Sequence, residues 1–486
     1  MTAYDPIRLP EVPDEVNAEL KYLLGVLQQK SRRNLLRSAY YDGRRALRDI
    51  TQVVPPQYHN LGIVLGWNAK AVDLLARRCN LDGFTWADGD INSLGAVEVW
   101  DENSLRTESN QGITSALEHS TAFVVTTQGG NGEPKGLMQF LDATQATGRW
   151  NARARRLDSF LAITGRDSAH KGRVSKLALY LPNVVYTARR VDGEWEVHRQ
   201  THPWGVPAEP LPYHPRLRRP FGSSRISRPT MGLQDAGVRA LMRLEGHMDV
   251  YSFPETWMLG ADQSIFKNDD GSIKSHWQVM LGRIKGVPDD DMAENPRADV
   301  KQFQAASPEP HLADLNALAK LFARESQLPD TALAITDVSN PTSAESYDAS
   351  QYEIIAEAEG ATDDWTPGLN RAYRRALAIQ NGLTAVPDEW RTITSKWRNP
   401  RFLSRSAEAD AGTKQVASVP WLAETEVGLE LLGLTPDQIT RANAERRRAS
   451  TQTTLQSLAA LAAGEETSET PGEDAPPPIG SQTRLS

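Results

Sequence analysis

Cysteine is almost absent from this chain of 486 residues, which contains only Cys79. A single thiol excludes an internal disulfide and fits a reducing compartment. Ala71, Val72 and Leu75 precede it at helical spacing, so we expect a buried helical thiol rather than a nucleophile. Residues 1–6 carry neither a basic nor an apolar region, and we therefore expect no signal peptide.

Long apolar runs and catalytic motifs are also missing. No stretch approaches the roughly 18 uninterrupted apolar residues of a membrane span. The chain lacks Gly-x-x-x-x-Gly-Lys-Ser/Thr, His-Glu-x-x-His, paired Cys-x-x-Cys and Gly-x-Ser-x-Gly. The sequence thus predicts no catalytic residue, no metal site and no cofactor. A net charge of −8 argues against a chain built to grip nucleic acid, because such binding needs many cations to displace counterions.

Three adjacent acids offer an alternative function of a different class, namely an enzyme. Asp289, Asp290 and Asp291 could hold a divalent ion for phosphodiester cleavage, as in a metal-dependent nuclease. Adjacent acids in a loop are far more often a solvated surface. The nuclease is therefore the minor interpretation.

Cations are missing from one long segment. Residues 325–370 contain no Lys or Arg, although an exposed helical face usually mixes both signs. Considered alone, this run is most simply a solvated acidic face. Its ten acids are Glu325, Asp330, Asp337, Glu345, Asp348, Glu353, Glu357, Glu359, Asp363 and Asp364.

Periodicity in the first half predicts an α+β arrangement. Helices are expected at residues 14–38, 67–79 (ended by 82–84) and 109–119, and a strand at 121–127. Asp192-Gly193 predicts a tight hairpin turn, because this pair readily adopts positive φ angles. Thr230 is predicted to cap a helix over 231–249.

The second half predicts helices around a small mixed unit at residues 251–304. That unit should contain a strand at 255–259, a turn at 268–271 and a helix at 275–284. The helices on either side should pack as an antiparallel pair. Further on, Thr342 with Glu345, and Thr435 with Gln438, predict capping boxes. Gly360 and Thr366-Pro367 should kink or interrupt the first of these helices, and Asn381-Gly382 should end it.

Several segments, in serial order, resemble portal proteins of tailed bacteriophages, above all those of actinobacterial phages with long non-contractile tails. The likeness covers about residues 15–444. Residues 335–339 depart from it, because a more glycine-containing loop is expected there. The segments are Tyr-Tyr-Asp-Gly at 40–43, Gly-Trp-Asn-Ala-Lys-Ala-Val-Asp at 66–73, Phe-Gly-Ser-Ser-Arg-Ile-Ser-Arg-Pro at 221–229, Leu-Gly-Ala-Asp at 259–262, Trp277 with Leu-Gly-Arg at 281–283, and Asn-Pro-Thr-Ser-Ala-Glu at 340–345.

The resemblance implies an α+β portal fold, with an α+β wing, an α-helical stem, a small mixed clip, a long kinked tunnel helix and an α-helical crown. The expected boundaries are wing 1–228, stem helix 229–249, clip 250–306, second stem helix 307–328, tunnel loop 329–342, tunnel helix 343–382, crown 383–463 and a disordered acidic tail 464–486.

The resemblance also implies a non-enzymatic role. Copies of the chain would form a ring, usually dodecameric, at one capsid vertex of the virion, after assembly in the host cytoplasm. The ring would nucleate head assembly with capsid and scaffold proteins, dock the terminase large subunit and pass double-stranded DNA without sequence specificity. It would later bind a head-tail adaptor. A monomeric adaptor or scaffold without a channel is a further alternative.

In such a ring the cation-free run would form a negative tunnel wall, to which DNA phosphates should not adhere. Glu357 and Glu359 could equally face a neighbouring subunit. The candidate tunnel-lining residues are Asp337, Ser339, Asn340, Thr342, Glu345 and Asp348. The candidate clip residues for partner docking are Trp257, Asp269, Asp270, Trp277, Asp289, Asp290 and Asp291.

Overall fold

The computed structural model describes residues 7–44, 62–168, 172–251, 256–259, 267–268, 270–272, 284–287, 299–302, 306–333, 350–401 and 405–465. The chain divides into two compact units, residues 1–400 and 401–486. Helices and mainly antiparallel sheets make up the first unit, which confirms the α+β class. Within the described residues, no helix combines the length and the apolar character that a bilayer crossing requires.

In its described part, the first unit contains helices throughout and strands in four sheets. The helices are α1 (Asp14–Tyr41), α2 (Trp67–Ala76), α3 (Ala96–Glu102), α4 (Leu105–His119), α5 (Arg228–Tyr251), α6 (Glu309–Glu325) and α7 (Tyr352–Gln380). The strands are β1 (Leu81–Trp86), β2 (Thr121–Gln128), β3 (Gly136–Asp142), β4 (Ala146–Asn151), β5 (Arg156–Asp167), β6 (Arg173–Leu181), β7 (Val184–Val191), β8 (Glu194–Thr201), β9 (Ala208–Pro212), β10 (Thr256–Leu259), β11 (Ile284–Val287), β12 (Asp299–Gln302) and β13 (Ile393–Trp397).

The largest sheet is the antiparallel meander β4-β5-β6-β7-β8. Alternate residues of its central strands point to opposite faces, as the period of a strand requires. Leu161 and Leu179 belong to one core cluster with the leucines of α1, whereas Phe160 and Tyr180 belong to another that includes Phe123 of β2. Both faces of this sheet are therefore covered.

The predicted hairpin is confirmed. Val191 pairs with Glu194 across the β7-β8 turn, and the intervening Asp192 and Gly193 have φ angles of 49° and 90°. Both central residues are thus in the left-handed region, as a tight primed turn requires.

One local prediction is wrong. Residues 82–84 were expected to end a helix, but they belong to β1, where Phe84 pairs with Ser395 of β13. The partner strand lies about 300 residues further along the chain, so no local pattern could reveal it. Cys79 is fully buried as predicted, although α2 ends before it at Ala76.

Helix α7 lies at the centre of the main core. Trp365 and Tyr373 are almost fully buried, and the Tyr373 ring stacks on Phe84 at a centroid distance of 3.7 Å. Gly360 and Pro367 were expected to kink or interrupt this helix. The interruption is wrong, because α7 continues through both residues, whereas the kink stays a prediction. Burial of one face of α7 outweighs the tendency of proline to break a helix. The Pro367 ring lies at an exposed position.

Residues 381–382 end α7, as predicted. Gly382 has a φ of 71°, and its N–H donates to Ile379 O. The N–H of Leu383 donates to Ala378 O at 2.8 Å. These two bonds form a Schellman motif, which satisfies carbonyls at the helix end.

Helices α5 and α6 form the predicted antiparallel pair. The His247 ring lies 4.9 Å from the His311 ring, and Arg243 lies 3.7 Å from Asp314. The predicted cap needs correction: Ser227, not Thr230, precedes the helix. Their hydroxyl oxygens accept from each other's backbone N–H groups, at 3.0 Å from Ser227 N and 3.3 Å from Thr230 N. This is the reciprocal arrangement of a capping box.

The small unit contains a described three-stranded sheet in the order β11-β10-β12. Strand β10 confirms the predicted strand, and the N–H of Gly271 donates to Asn268 O at 2.9 Å in the predicted turn. The helix expected over 275–284 lies outside the described residues except for Ile284, which begins β11.

The second unit is helical in its described part, with α8 (Arg405–Ser418), α9 (Glu426–Leu431) and α10 (Pro436–Glu465). The capping box before α10 is confirmed. The N–H of Thr435 donates to Gln438 Oε1 at 2.9 Å, and the N–H of Gln438 donates to Thr435 Oγ1 at 3.4 Å. The predicted tail begins at residue 464, but Glu465 still belongs to α10, and residues 466–486 lie outside the described part.

Candidate functional site

The predicted tunnel-lining residues lie outside the described part of the chain. They occupy the gap between residues 333 and 350, together with the predicted capping box of Thr342. The structure describes residues 306–333 before this gap and residues 350–401 after it. The six positions that remain predictions are Asp337, Ser339, Asn340, Thr342, Glu345 and Asp348.

Two of the predicted docking residues are described. Trp257 lies in the centre of its sheet, with Lys285 and Lys301 as its register partners. The Asp270 carboxylate accepts from Ser272 N at 2.9 Å and from Ser272 Oγ at 2.6 Å, and these bonds hold the pKa of Asp270 below its ordinary value. Outside the described residues lie Asp269, Trp277, Asp289, Asp290 and Asp291.

Across the part of the chain that the structure describes, no three His, Cys, Asp or Glu side chains form a group that could hold a metal ion. Cys79 is buried, and burial raises the pKa of its thiol to about 12. A thiol so rarely ionised is a packing group rather than a nucleophile.

Arg225 connects α2, Tyr213 and the C-terminal end of α6, which is the helix that precedes the predicted tunnel loop. Its guanidinium is almost fully buried and donates to Ala71 O of α2 at 2.7 Å and to Ser326 O at 2.6 Å. Its Nη1 lies 3.0 Å from the Tyr213 hydroxyl. Because Ser326 is the C-cap of α6, one cation satisfies a carbonyl at a helix end and fixes that end to the core.

Glu357 completes this buried cluster. Its Oε1 lies 3.0 Å from His214 Nε2 and 3.7 Å from Arg225 Nη1, and it accepts from the Tyr213 hydroxyl. Burial alone would raise the pKa of Glu357, but the hydrogen bonds from His214 and Tyr213 and the nearby positive charges lower it overall. Glu357 is therefore an internal ion-pair residue. The prediction that it faces a channel or a neighbouring subunit is wrong, because its side chain is only 7% exposed.

A second buried carboxylate fixes α7 to β9. Glu209 is 2% exposed, and its two carboxylate oxygens accept from Arg371 Nε and Arg375 Nη2, each at 2.8 Å. Next to this contact, a Cβ placed on Gly368 would lie 2.9 Å from Pro210 O. The helix thus approaches the strand closely at a residue without a side chain.

Three exposed acids of α7 lie on what we call the acidic face, defined by Tyr352, Glu353, Ala356, Glu359 and Asp363. All five residues are exposed, and the Tyr352 side chain is 68% exposed. Their spacing of mostly three or four residues places them opposite the buried stripe that contains Trp365. Within the described part of the cation-free run, Glu357 is thus a buried ion-pair residue, whereas Glu353, Glu359 and Asp363 lie on an exposed face.

A cleft of about 830 Å³ lies beside the buried cluster. We call it the arginine cleft. Burial, together with the positive charges of Arg33 and Arg219, lowers the pKa of Arg37 to about 10. Glu325 is the acid among the lining residues. The cations are Lys30, Arg33 and Arg37 of α1, together with Arg216, Arg218, Arg219, Arg225 and Arg228.

Sequence reasoning missed both the arginine cleft and the buried carboxylates. The proline- and arginine-rich stretch of residues 202–229 was a visible signal, as was the spacing of Lys30, Arg33 and Arg37 on one side of a helix. Their meeting in one cleft depends on the fold.

Comparison with known proteins gives a consistent result. The family model described as "Phage portal protein, SPP1 Gp6-like" matches residues 20–451. The chain is 27% identical over 385 residues to the portal protein of Mycobacterium phage D29, a match that covers 78% of this chain and 77% of the relative. The portal protein of Mycobacterium phage L5 is 26% identical over the same share of each chain.

Solved structures give a weaker likeness. The neck of an empty gene transfer agent (GTA) particle matches with a TM-score of 0.41 and 15% identity, over 76% of this chain and 91% of that chain. A chain of the native GTA virion matches with a TM-score of 0.37 and 16% identity, over 76% and 90% of the two chains. The family assignment depends on the sequence match, which spans most of the chain: the chain belongs to the SPP1 Gp6-like family of phage portal proteins.

Proposed function

We propose that copies of this chain form a closed ring at one capsid vertex of a virion, and that the ring is the conduit for double-stranded DNA during packaging and ejection. The family match over residues 20–451 carries this proposal. The ring is proposed to contain twelve copies, as the resemblance implies, and to perform no bond chemistry itself. It would be assembled in the host cytoplasm.

The proposed channel is lined by the segment between α6 and α7, with Asp337, Ser339, Asn340, Thr342, Glu345 and Asp348 as lining residues. This segment contains no Lys or Arg. Repeated around a ring, its carboxylates make a wall from which DNA phosphates gain no counterion exchange. A conduit of this kind guides DNA without binding it.

The buried cluster around Arg225 supports the idea that both ends of this segment are held in place. Arg225 fastens the end of α6 to α2, and Glu357 connects the same guanidinium to α7. The segment is thus fastened at both ends to one core. A lining segment needs such anchors if it is to keep its place while a long polymer passes.

The docking functions are proposed for other surfaces. The small unit at residues 250–306 would bind the terminase large subunit during packaging and a head-tail adaptor afterwards, through Trp257, Asp269, Asp270, Trp277, Asp289, Asp290 and Asp291. Capsid and scaffold proteins would contact the first unit during head assembly.

Light scattering of the purified protein, combined with a nicking assay, tests this proposal. A ring gives a mass of about twelve times the 53.7 kDa of one chain and leaves supercoiled DNA intact in magnesium. A monomer of that mass that nicks DNA would support the nuclease instead. A monomer without nicking activity would support an adaptor or scaffold without a channel.

A further inference from the structure

We infer that the arginine cleft and the acidic face are the two halves of one contact between neighbouring copies of this chain, so that the acidic face of one copy docks in the arginine cleft of the next. This inference rests on the proposed ring and adds to it a specific interface. A cyclic ring needs two different, complementary patches on each subunit. The two patches identified above fit that requirement.

Most cations of the arginine cleft have no acidic partner among the described residues. Arg225 is occupied by the buried cluster, and Arg37 donates to His119 O at 3.2 Å. Among the residues that the structure describes, no carboxylate pairs with the six others, which are Lys30, Arg33, Arg216, Arg218, Arg219 and Arg228.

Concentrated positive charge is unusual in this chain, whose net charge is −8. Unpaired cations that share a concave surface repel each other, and the lowered pKa of Arg37 reflects burial first and that repulsion second. An anionic surface placed against the cleft would relieve the repulsion and be attracted from a distance. The cleft therefore selects an acidic partner.

The turn that borders the cleft indicates a protein partner rather than a phosphate. Arg216 and Arg219 exchange backbone hydrogen bonds of 3.1 and 2.7 Å, which close a tight turn with Leu217 at its tip. Leu217 is fully exposed. Burying a leucine side chain is worth about 1.5–3 kcal/mol, and a phosphate group cannot provide that apolar cover. A partner with both acids and apolar groups fits better.

A second cleft, of about 680 Å³, lies on the other side of the same turn. Its apolar lining includes Trp150, Leu217 and Pro367. The exposed turn thus stands between the arginine cleft and a depression that combines apolar side chains with Arg155, Arg371 and Asp364. Such a surface matches a partner helix that carries acids beside an aromatic ring.

The acidic face has this composition. Glu353, Glu359 and Asp363 have no ion-pair partner among the described residues, and Tyr352 adds a large exposed ring. The cation-free run guarantees that no lysine or arginine of the same segment neutralises these acids. Charge and apolar surface are therefore complementary between the two patches.

Charge reversal tests the interface in the full-length protein. The first variant combines Arg218→Glu with Arg219→Glu, the second combines Glu359→Arg with Asp363→Arg, and the third carries all four changes. We expect each of the first two to lower the ring fraction, measured by mass photometry, by about tenfold or more, and the third to recover most of it. Lys176→Glu with Arg199→Glu, an equal reversal at exposed positions of β6 and β8 that line neither cleft, should leave ring formation unchanged.

The outcomes separate this inference from the proposed function. Wild-type protein that stays monomeric at every concentration overturns both. Wild-type rings that persist in both reversed variants overturn the interface alone, provided that thermal unfolding shows all variants folded. Rings that persist in the arginine variant while its binding to a short DNA duplex falls would make the cleft a nucleic-acid site, and would also overturn the interface. A lower ring fraction in each reversed variant, with recovery in the variant that carries all four changes, supports the interface.

Discussion

The Nε2 atom of His214 lies 3.0 Å from the Oε1 atom of Glu357. The contact joins the loop after β9 to the first half of α7, beside the guanidinium of Arg225. Since α7 is the helix that follows the proposed channel-lining segment, this pair helps to hold the helix after that segment on the core. It also makes that attachment sensitive to pH.

The first prediction concerns this sensitivity. The hydrogen bond to Glu357 raises the pKa of His214 above its ordinary 6.5, and Glu357 has a pKa below its ordinary 4.5. The stabilisation from charged His214 is complete below 6.5 and is lost as pH rises through the raised pKa. The stabilisation from Glu357 is complete above 4.5 and is lost as pH falls through the lowered pKa.

The pair should therefore stabilise the protein most between about pH 4.5 and pH 6.5. Urea unfolding of wild type and His214→Asn at a series of pH values measures this. We expect the difference in free energy of unfolding to be largest in that window and to shrink towards about pH 9. A difference that stays constant over the whole range would show that the pair is not ionised as described.

The second prediction concerns Arg225. Arg225→Lys keeps the charge but cannot reach Ala71 O and Ser326 O together, because lysine lacks the planar fork of donors. We expect a loss of about 2–4 kcal/mol in the free energy of unfolding of the first unit, since buried carbonyls lose their donors. Arg228→Lys, three residues further on at an exposed position, is the matched control and should change stability by less than about 0.5 kcal/mol. Equal losses in the free energy of unfolding for Arg225→Lys and Arg228→Lys would contradict the buried hydrogen bonds of Arg225.

The third prediction compares two glycines of α7. Gly368→Ala places a Cβ about 2.9 Å from Pro210 O, so the helix must shift away from β9. Chemical denaturation should show a loss of about 1–3 kcal/mol. At Gly360 an added Cβ has open space, and Gly360→Ala should stabilise the protein by about 0.5–1 kcal/mol. Stabilisation by both changes would mean that α7 does not approach β9 so closely.

The fourth prediction concerns the proposed channel wall. Asp337→Lys combined with Glu345→Lys introduces cations into a segment that has none. Ring assembly should persist, but DNA passage should slow, because phosphates then exchange counterions with the wall. Packaged genome per particle is the readout, and we expect a clear reduction. A control with Asp337→Asn and Glu345→Gln adds no cation, so its yield should lie closer to wild type. A normal yield in the lysine variant would contradict an electrostatic role for these residues.

The sequence correctly predicted turns, caps and helix ends that depend only on interactions between neighbouring residues. The Asp192-Gly193 turn, the Thr435 capping box and the end of α7 at Gly382 each depend on a few adjacent residues, and all are confirmed. The serial likeness to portal proteins is confirmed at the level of the family.

Features that depend on distant residues escaped prediction. Strand β1 exists because β13 pairs with it, and α7 passes Pro367 because its buried face packs on the core. Glu357 appeared to be one acid among many in a cation-free run. Its burial beside Arg225 is visible only once residues 225 and 357 are known to be neighbours.

Cryo-electron microscopy of the purified full-length protein tests the central claim most directly, namely that many copies form a pore whose wall repels DNA. The account predicts end-on class averages with an annulus around an open hole, and a reconstruction in which carboxylates of residues 337–348 line the narrowest part. A compact monomer without a hole, or a bore lined mainly by lysine and arginine, would contradict it.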